Sequence, residues 1–175
     1  MNIFVSDPCP QKSAKYLDDK RVVKMVLETA QILSTTISMV GGEGPYRVTH
    51  RNHPCCKWAR ESSGNYLWLL KHFKYLSKEY TARYKRIHAC ERLTKIFEEN
   101  SWRIKKGSQT VWPNCTIFKK EIGNVHVFYK KALDIKWQND IRTPTWYGIK
   151  RNKNKGIVCN SIENHLKSDK VLRYV

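Results

Sequence analysis

The chain has 175 residues, 41% hydrophobic and 11% aromatic, which is long enough for one domain with a real core and too apolar for a disordered chain. Its 33 Lys and Arg against 15 Asp and Glu give a formal net charge of +18, which points to a polyanionic partner, nucleic acid first and an anionic membrane surface second. No long apolar run or signal-like start is visible, and the six cysteines form no Cys-x-x-Cys pair, so a membrane span and a secreted disulfide framework give way to free thiols in a soluble, cytoplasmic protein.

Met1–Val5 is a short apolar start, extended or packed on the body. Ser6-Asp7-Pro8-Cys9-Pro10 is turn chemistry, and its prolines suit a helix entry. A helix is predicted from about Gln11 to Met39, with a break near Asp18–Asp19, and Gly41-Gly42-Glu43-Gly44-Pro45 ends it. Within it, Leu17–Ile37 splits into two faces at 100° per residue. Val22, Val23, Val26, Leu27, Ala30, Leu33 and Ile37 fall on the face expected to be buried; Lys20, Arg21, Lys24, Glu28, Gln31 and Thr35 fall on the other. Glu28 is a single carboxylate among cations. Cations around a carboxylate favour its charged form, which suits a group that stabilises a developing cation or takes a proton. The plainer reading is a solvated face with a Lys24–Glu28 pair, which contributes only about 0.2–0.5 kcal/mol.

Tyr46–Pro54 reads as a loop carrying Arg47, His50, Arg51, Asn52 and His53, a set suited to anion contact. His50, His53, Cys55 and Cys56 lie close in sequence, but no second ligand pair follows at a standard zinc spacing, so neither a metal nor a cofactor is expected. Short and long helices follow over Cys55–Glu61 and Asn65–Tyr84, the second with Tyr66, Leu69, Leu70, Phe73, Leu76 and Tyr80 inward. His88–Asn100 is expected to be helical, with Leu93, Ile96 and Phe97 inward. Ser101–Thr116 is expected to be irregular, with Trp102 and Trp112 either buried or set among cations as a stacking surface. Ile117–Trp137 reads as helix, and Arg142–Gly148 as a loop with exposed Trp146 and Tyr147. The Lys/Arg/Asn-rich run that includes Lys150 and Arg151 opens a basic tail, with a short helix around Ser161–Leu166. The expected architecture is a mostly α, compact single-domain helical fold with long irregular loops. Residues 1–150 form its nucleic-acid-binding and catalytic body, and 151–175 the tail.

No Ser-His-Asp order, phosphate-binding loop or dinucleotide glycine motif is present. One carboxylate on a basic helix, with lysines, tryptophans and a basic loop, is the equipment of an enzyme that breaks an N-glycosidic bond in nucleic acid. Such an enzyme grips phosphates, extrudes a nucleotide and stabilises an electron-poor sugar. If its nucleophile is an amine, a Schiff base and strand cleavage follow.

Two stretches carry a resemblance. Leu17-Asp18-Asp19-Lys20-Arg21-Val22-Val23-Lys24-Met25-Val26-Leu27-Glu28 resembles the first long helix of the pyrimidine-dimer DNA glycosylases (endonuclease V) of T-even phages, with Glu28 at the catalytic glutamate. Arg142-Thr143-Pro144-Thr145-Trp146-Tyr147-Gly148 resembles the C-terminal aromatic segment of that family, which borders the DNA. Small uncharacterised phage and bacterial relatives also share the basic helix and an Asn-His-Pro loop like Asn52-His53-Pro54. The resemblance implies a DNA-repair hydrolase or lyase in a bacterial or phage-infected cell, acting on double-stranded DNA. Glu28, Lys20, Lys24, Met1 and His53 would be catalytic. Arg21, Gln31, Arg47, His50, Arg51, Asn52, Arg142, Trp146, Tyr147, Lys150 and Arg151 would contact nucleic acid. The family uses the α-amine exposed when methionine is removed. Asn2 disfavours that removal, which leaves the Met1 amine, Lys20, Lys24 or water as nucleophile, so an AP-lyase step is open. Two other readings stay open: a non-catalytic nucleic-acid-binding phage protein, and a ribosyl- or base-transfer enzyme acting on RNA or a nucleotide.

Overall fold

The structure, a computed structural model, describes residues 1–150; Arg151, the tail and the helix expected around Ser161–Leu166 lie outside the described residues. The body is mostly α, as expected. Six helices run in order: α1 (Pro10–Tyr16), α2 (Asp19–Met39), α3 (Pro54–Glu61), α4 (Ser63–Tyr84), α5 (Thr94–Glu99) and α6 (Val125–Asn139). A two-residue hairpin, β1 (Thr145–Trp146) against β2 (Ile149–Lys150), closes the described chain, with Thr145 opposite Lys150.

Local chemistry sets these boundaries. Pro10 opens α1 where its missing N–H costs nothing, and Leu17 turns extended to end it. The expected break therefore falls at Leu17–Asp18. His53 Nδ1 accepts from Cys55 N–H to cap α3, Ser62 Oγ from Asn65 N–H to cap α4, and Asn124 Oδ1 from His126 N–H to cap α6. Lys85, left-handed at φ 55°, stops α4.

Helix α2 is the central element, packed on α3 and α4, while α1 lies on α4. Val22, Met25, Val26, Ala30, Ile32, Leu33 and Ile37 are buried, with Ile3 and Val5 from the first residues and Tyr66, Leu69, Phe73 and Leu76 from α4. Each large apolar side chain so buried stabilises the fold by about 1.5–3 kcal/mol.

Several expectations are corrected. Val23 and Leu27 are 37% and 39% exposed, not core, while Thr35 is buried. The buried arc of α2 is wider than the apolar stripe because Ser34 and Thr35 are covered by the loop they bond. Helix α6 begins at Val125, not Ile117; Gly123 at φ 150° and the Asn124 cap delay it. His88–Asn100 is a 3-10 turn over Ala89–Leu93 followed by α5, with Ile96 exposed. Arg142–Gly148 contains the first strand of the hairpin and its turn, not loop alone. Trp102 is exposed with the Arg103 guanidinium 4.6 Å above its ring, whereas Trp112 packs on Trp68 and His126.

Candidate active site

Glu28 sits at the middle of α2 with its side chain 13% exposed. Its Oε2 accepts the Asn2 backbone N–H at 3.0 Å and lies 3.9 Å from the Met1 ammonium; its Oε1 lies 3.2 Å from Lys24 Nζ. The carboxylate is thus shared between the chain start and a lysine that is otherwise 73% exposed. The first residues are held there from both sides. Ile3 and Val5 are anchored in the core. Asn2 Oδ1 accepts from the N–H groups of Ile3 and Phe4, and its Nδ2 donates to the Cys115 carbonyl at 3.3 Å.

His53 flanks the same carboxylate. Burial lowers its pKa, the Met1 ammonium and His50 lower it further, and Glu28 opposes them. The imidazole is therefore neutral near pH 7, able to accept or relay a proton. Its loop is fastened to α2 just beyond Glu28. Ser34 Oγ accepts from Tyr46 N–H (2.8 Å) and donates to Tyr46 O (3.0 Å); Thr35 Oγ1 accepts from Thr49 N–H (3.3 Å) and donates to Thr49 O (3.2 Å). Gln31 and residues Tyr46, Arg47, Val48, Thr49 and His50 line an open depression of about 550 Å³ one helical turn from Glu28. Arg47 and His50 are exposed along it, and Arg51 and Asn52 are exposed just beyond it in the chain.

The expected residues thus divide. Met1, Lys24, Glu28 and His53 converge, with Gln31, Arg47 and His50 adjoining. Lys20 is exposed and 3.8 Å from Asp140. Arg21 is committed within the fold: its Nη1 donates to Asp18 Oδ1 (2.9 Å) and Asp140 Oδ2 (2.8 Å). Trp146 and Tyr147 stand at the first turn of α2, nine residues or about 13 Å along the helix from Glu28. Trp146 donates to Tyr16 O and packs edge-on against Trp137. Tyr147 OH donates to Glu79, and burial followed by that carboxylate pushes its pKa up to about 12. Arg142 is exposed beside them, and Lys150 enters through its backbone pairing with Thr145.

Residues that sequence reasoning did not single out do much of the positioning. Asp19 accepts from Thr145 Oγ1 (2.6 Å), Tyr147 N–H (3.0 Å) and Gly148 N–H (3.0 Å), and binds the hairpin to α2. Arg83, its side chain 1% exposed, bonds Asp19, Glu79 and the carbonyls of Lys15 and Leu17. Ser34 and Thr35 fix the loop. The available signals were a paired Asp18-Asp19 at a helix start and a Ser-Thr-Thr run inside an apolar helix.

Among the described residues, no helix is long and apolar enough to cross a membrane. A confined carboxylate, an amine and a neutral imidazole beside a cationic rim can bind an anionic strand, move a proton and stabilise positive charge at one carbon. No curated protein and no solved structure matches the chain. The family model described as pyrimidine dimer DNA glycosylase matches residues 1–92, just over half of the length and the part that supplies Met1, Lys24, Glu28 and His53. The chain belongs to the pyrimidine dimer DNA glycosylase family, a family of DNA-binding repair glycosylases.

Proposed function

We propose that the chain excises a damaged pyrimidine from double-stranded DNA with the Met1 α-amine as nucleophile, and then cleaves the strand as an AP lyase. The observation that carries this reading is the sharing of Glu28 Oε2 between the Met1 amine and the Asn2 N–H. Glu28 takes a proton from the ammonium and frees the nitrogen lone pair. The amine forms a bond to C1′ as the C1′–N bond of the base breaks, and the departing base keeps that electron pair and picks up a proton. Opening of the sugar ring then gives a Schiff base at C1′, and loss of a C2′ proton expels the 3′ phosphate. Glu28 gives that proton up to the departing base and, ionised again, stays close to C1′ as positive charge builds there. Neutral His53 flanks Glu28 and the amine without adding a second positive charge beside them. Lys20, Lys24, Arg47, His50, Arg51, Asn52 and Arg142 grip phosphates, and the depression beside Gln31 receives a displaced nucleotide. In this assignment Arg21, Trp146 and Tyr147 act by shaping the DNA-facing end of α2.

The test is borohydride trapping on duplexes that carry a thymine dimer or an abasic site. A reduced covalent adduct mapping to Met1 supports the assignment. An adduct on Lys24 moves the nucleophile to that lysine, and base release without an adduct makes water the nucleophile. Glu28→Gln should stop turnover and leave DNA affinity almost unchanged; full activity in that variant would remove Glu28 from the mechanism. Binding with neither adduct nor base release would overturn the enzymatic reading for these lesions.

A further inference from the structure

We propose that His53, Cys55 and Cys115 form a binding site for a borderline-soft divalent cation of the Zn²⁺ type, beneath the chain start. Their ligand atoms all lie within 4.8 Å of one another, and Cys55 Sγ is 3.7 Å from Cys115 Sγ. Zinc–sulfur bonds of about 2.3 Å at tetrahedral angles place two thiolates about 3.8 Å apart. The two sulfurs therefore already stand at the spacing of a zinc site. A disulfide would need them drawn in to about 2.05 Å. Two thiolates and an imidazole select zinc over magnesium or calcium, which take oxygen ligands.

The ligands are held from three directions. Cys55 is fixed in the first turn of α3 and fully buried. Cys115 is fixed through its carbonyl, which accepts from Asn2 Nδ2, and its N–H, which donates to Tyr129 Oη at 3.2 Å. The turn that holds it is closed by Asn114 Oδ1, which accepts from Thr116 N–H and Oγ1. His53 Nδ1 faces the Cys55 N–H at 3.2 Å. With the metal on Nδ1, that N–H turns to the Cys115 sulfur, toward which it already lies. Two thiolates neutralise the dication, so the buried centre carries no net charge. Cys56 Sγ contacts Met1 Sδ at 3.6 Å and holds the chain start beside the site, and water would complete the coordination, which leaves the Met1 amine to Glu28. The ion would staple α3 to a loop sixty residues on.

The test uses the full chain, purified from zinc-supplemented medium and separately reconstituted with Co²⁺. The expected result is about one zinc per chain and a thiolate-to-cobalt charge-transfer band with tetrahedral visible bands. Cys115→Ser, at a half-buried position, should lose the band and weaken Zn²⁺ binding by more than the roughly 100-fold that loss of a supporting partner costs. Cys9→Ser should keep both. Because Cys55→Ser alters a fully buried residue, the Zn²⁺-dependent rise in the melting temperature of the unaltered chain serves as the second readout. The proposal is overturned by a reduced chain that takes up no stoichiometric Zn²⁺ and gives no charge-transfer band. It is equally overturned if the only change at these sulfurs is loss of two thiols to a Cys55–Cys115 disulfide in air.

Discussion

The backbone N–H of Asn2 donates to Glu28 Oε2 at 3.0 Å, a bond between residues 26 apart in the chain. It places the Met1 nitrogen 3.9 Å from the same oxygen. An extension of two residues ahead of Met1 would replace that amine with a peptide nitrogen and crowd the carboxylate. The expected outcome is loss of the borohydride-trappable adduct and a fall in base release of about 10²-fold or more. DNA affinity should stay within about threefold, because the phosphate-facing cations are untouched. A fluorescence-anisotropy titration beside a single-turnover assay separates the two. Undiminished trapping in the extended chain would exclude Met1 as the nucleophile.

Arg83 and Asp19 tie the C-terminal hairpin to the start of α2. Arg83 neutralises Asp19 and Glu79 and lies 4.9 Å from the Tyr147 ring. Arg83→Met should destabilise the fold by about 3–5 kcal/mol, since it leaves buried Glu79 and half-buried Asp19 without their cation. Asp19→Asn keeps the shape and should cost less, yet it weakens three bonds to Thr145, Tyr147 and Gly148 and frees the hairpin. Urea midpoints measure the first effect. Faster proteolytic cleavage between Arg142 and Gly148 measures the second, and an Asp19→Asn chain cleaved no faster would contradict the clamp.

The same pair of residues shows how far the sequence could be read. The helices, the break before Asp19 and the central place of Glu28 were legible because apolar spacing and Pro/Gly punctuation are local signals. The face assignment failed at Thr35 because its burial depends on a loop that Ser34 and Thr35 pin from twelve and fourteen residues away, and at Val23 and Leu27 because no element among the described residues packs over them. Arg21 read as a free cation on an exposed face; its partner Asp140 lies 119 residues on, and no local pattern reveals it. Tyr147 is exposed, as its sequence suggests, but its hydroxyl bond to Glu79, 68 residues away, was out of reach of any local pattern. Asp18 and Asp19, read from sequence only as a break in the helix, are anchors for the fold.

Gly64 gives a packing test. Ser63 N–H and Gly64 N–H donate to the carbonyls of Lys105 and Gly107, so the strand-like segment after α5 crosses directly over the start of α4. A Cβ on Gly64 would lie 2.4 Å from Gln109 N and 2.7 Å from Ser108 C, both main-chain atoms. Neither can swing aside as a side-chain tip does. Gly64→Ala should therefore destabilise by about 1–3 kcal/mol, although alanine ordinarily favours a helix. Thermal melts would read it as a lowered midpoint. A neutral or stabilised variant would mean that the segment over α4 gives way freely.

His72 should make the fold sensitive to mild acid. It is completely buried, stacks on Trp68 and donates from Nδ1 to the Pro10 carbonyl, so it braces the entry to α1. Burial lowers its pKa to about 4 from an ordinary value of 6.5. Between those values the unfolded chain binds the proton and the folded chain does not, so stability falls as the pH drops from about 6.5 toward 4 and levels off below. By pH 5 this single group should cost about 2 kcal/mol. Urea denaturation at pH 7 and pH 5 measures the loss. His72→Gln, which cannot take up a proton, should begin less stable and lose about 2 kcal/mol less over the same interval. An equal loss in both proteins would place the acid sensitivity on other groups.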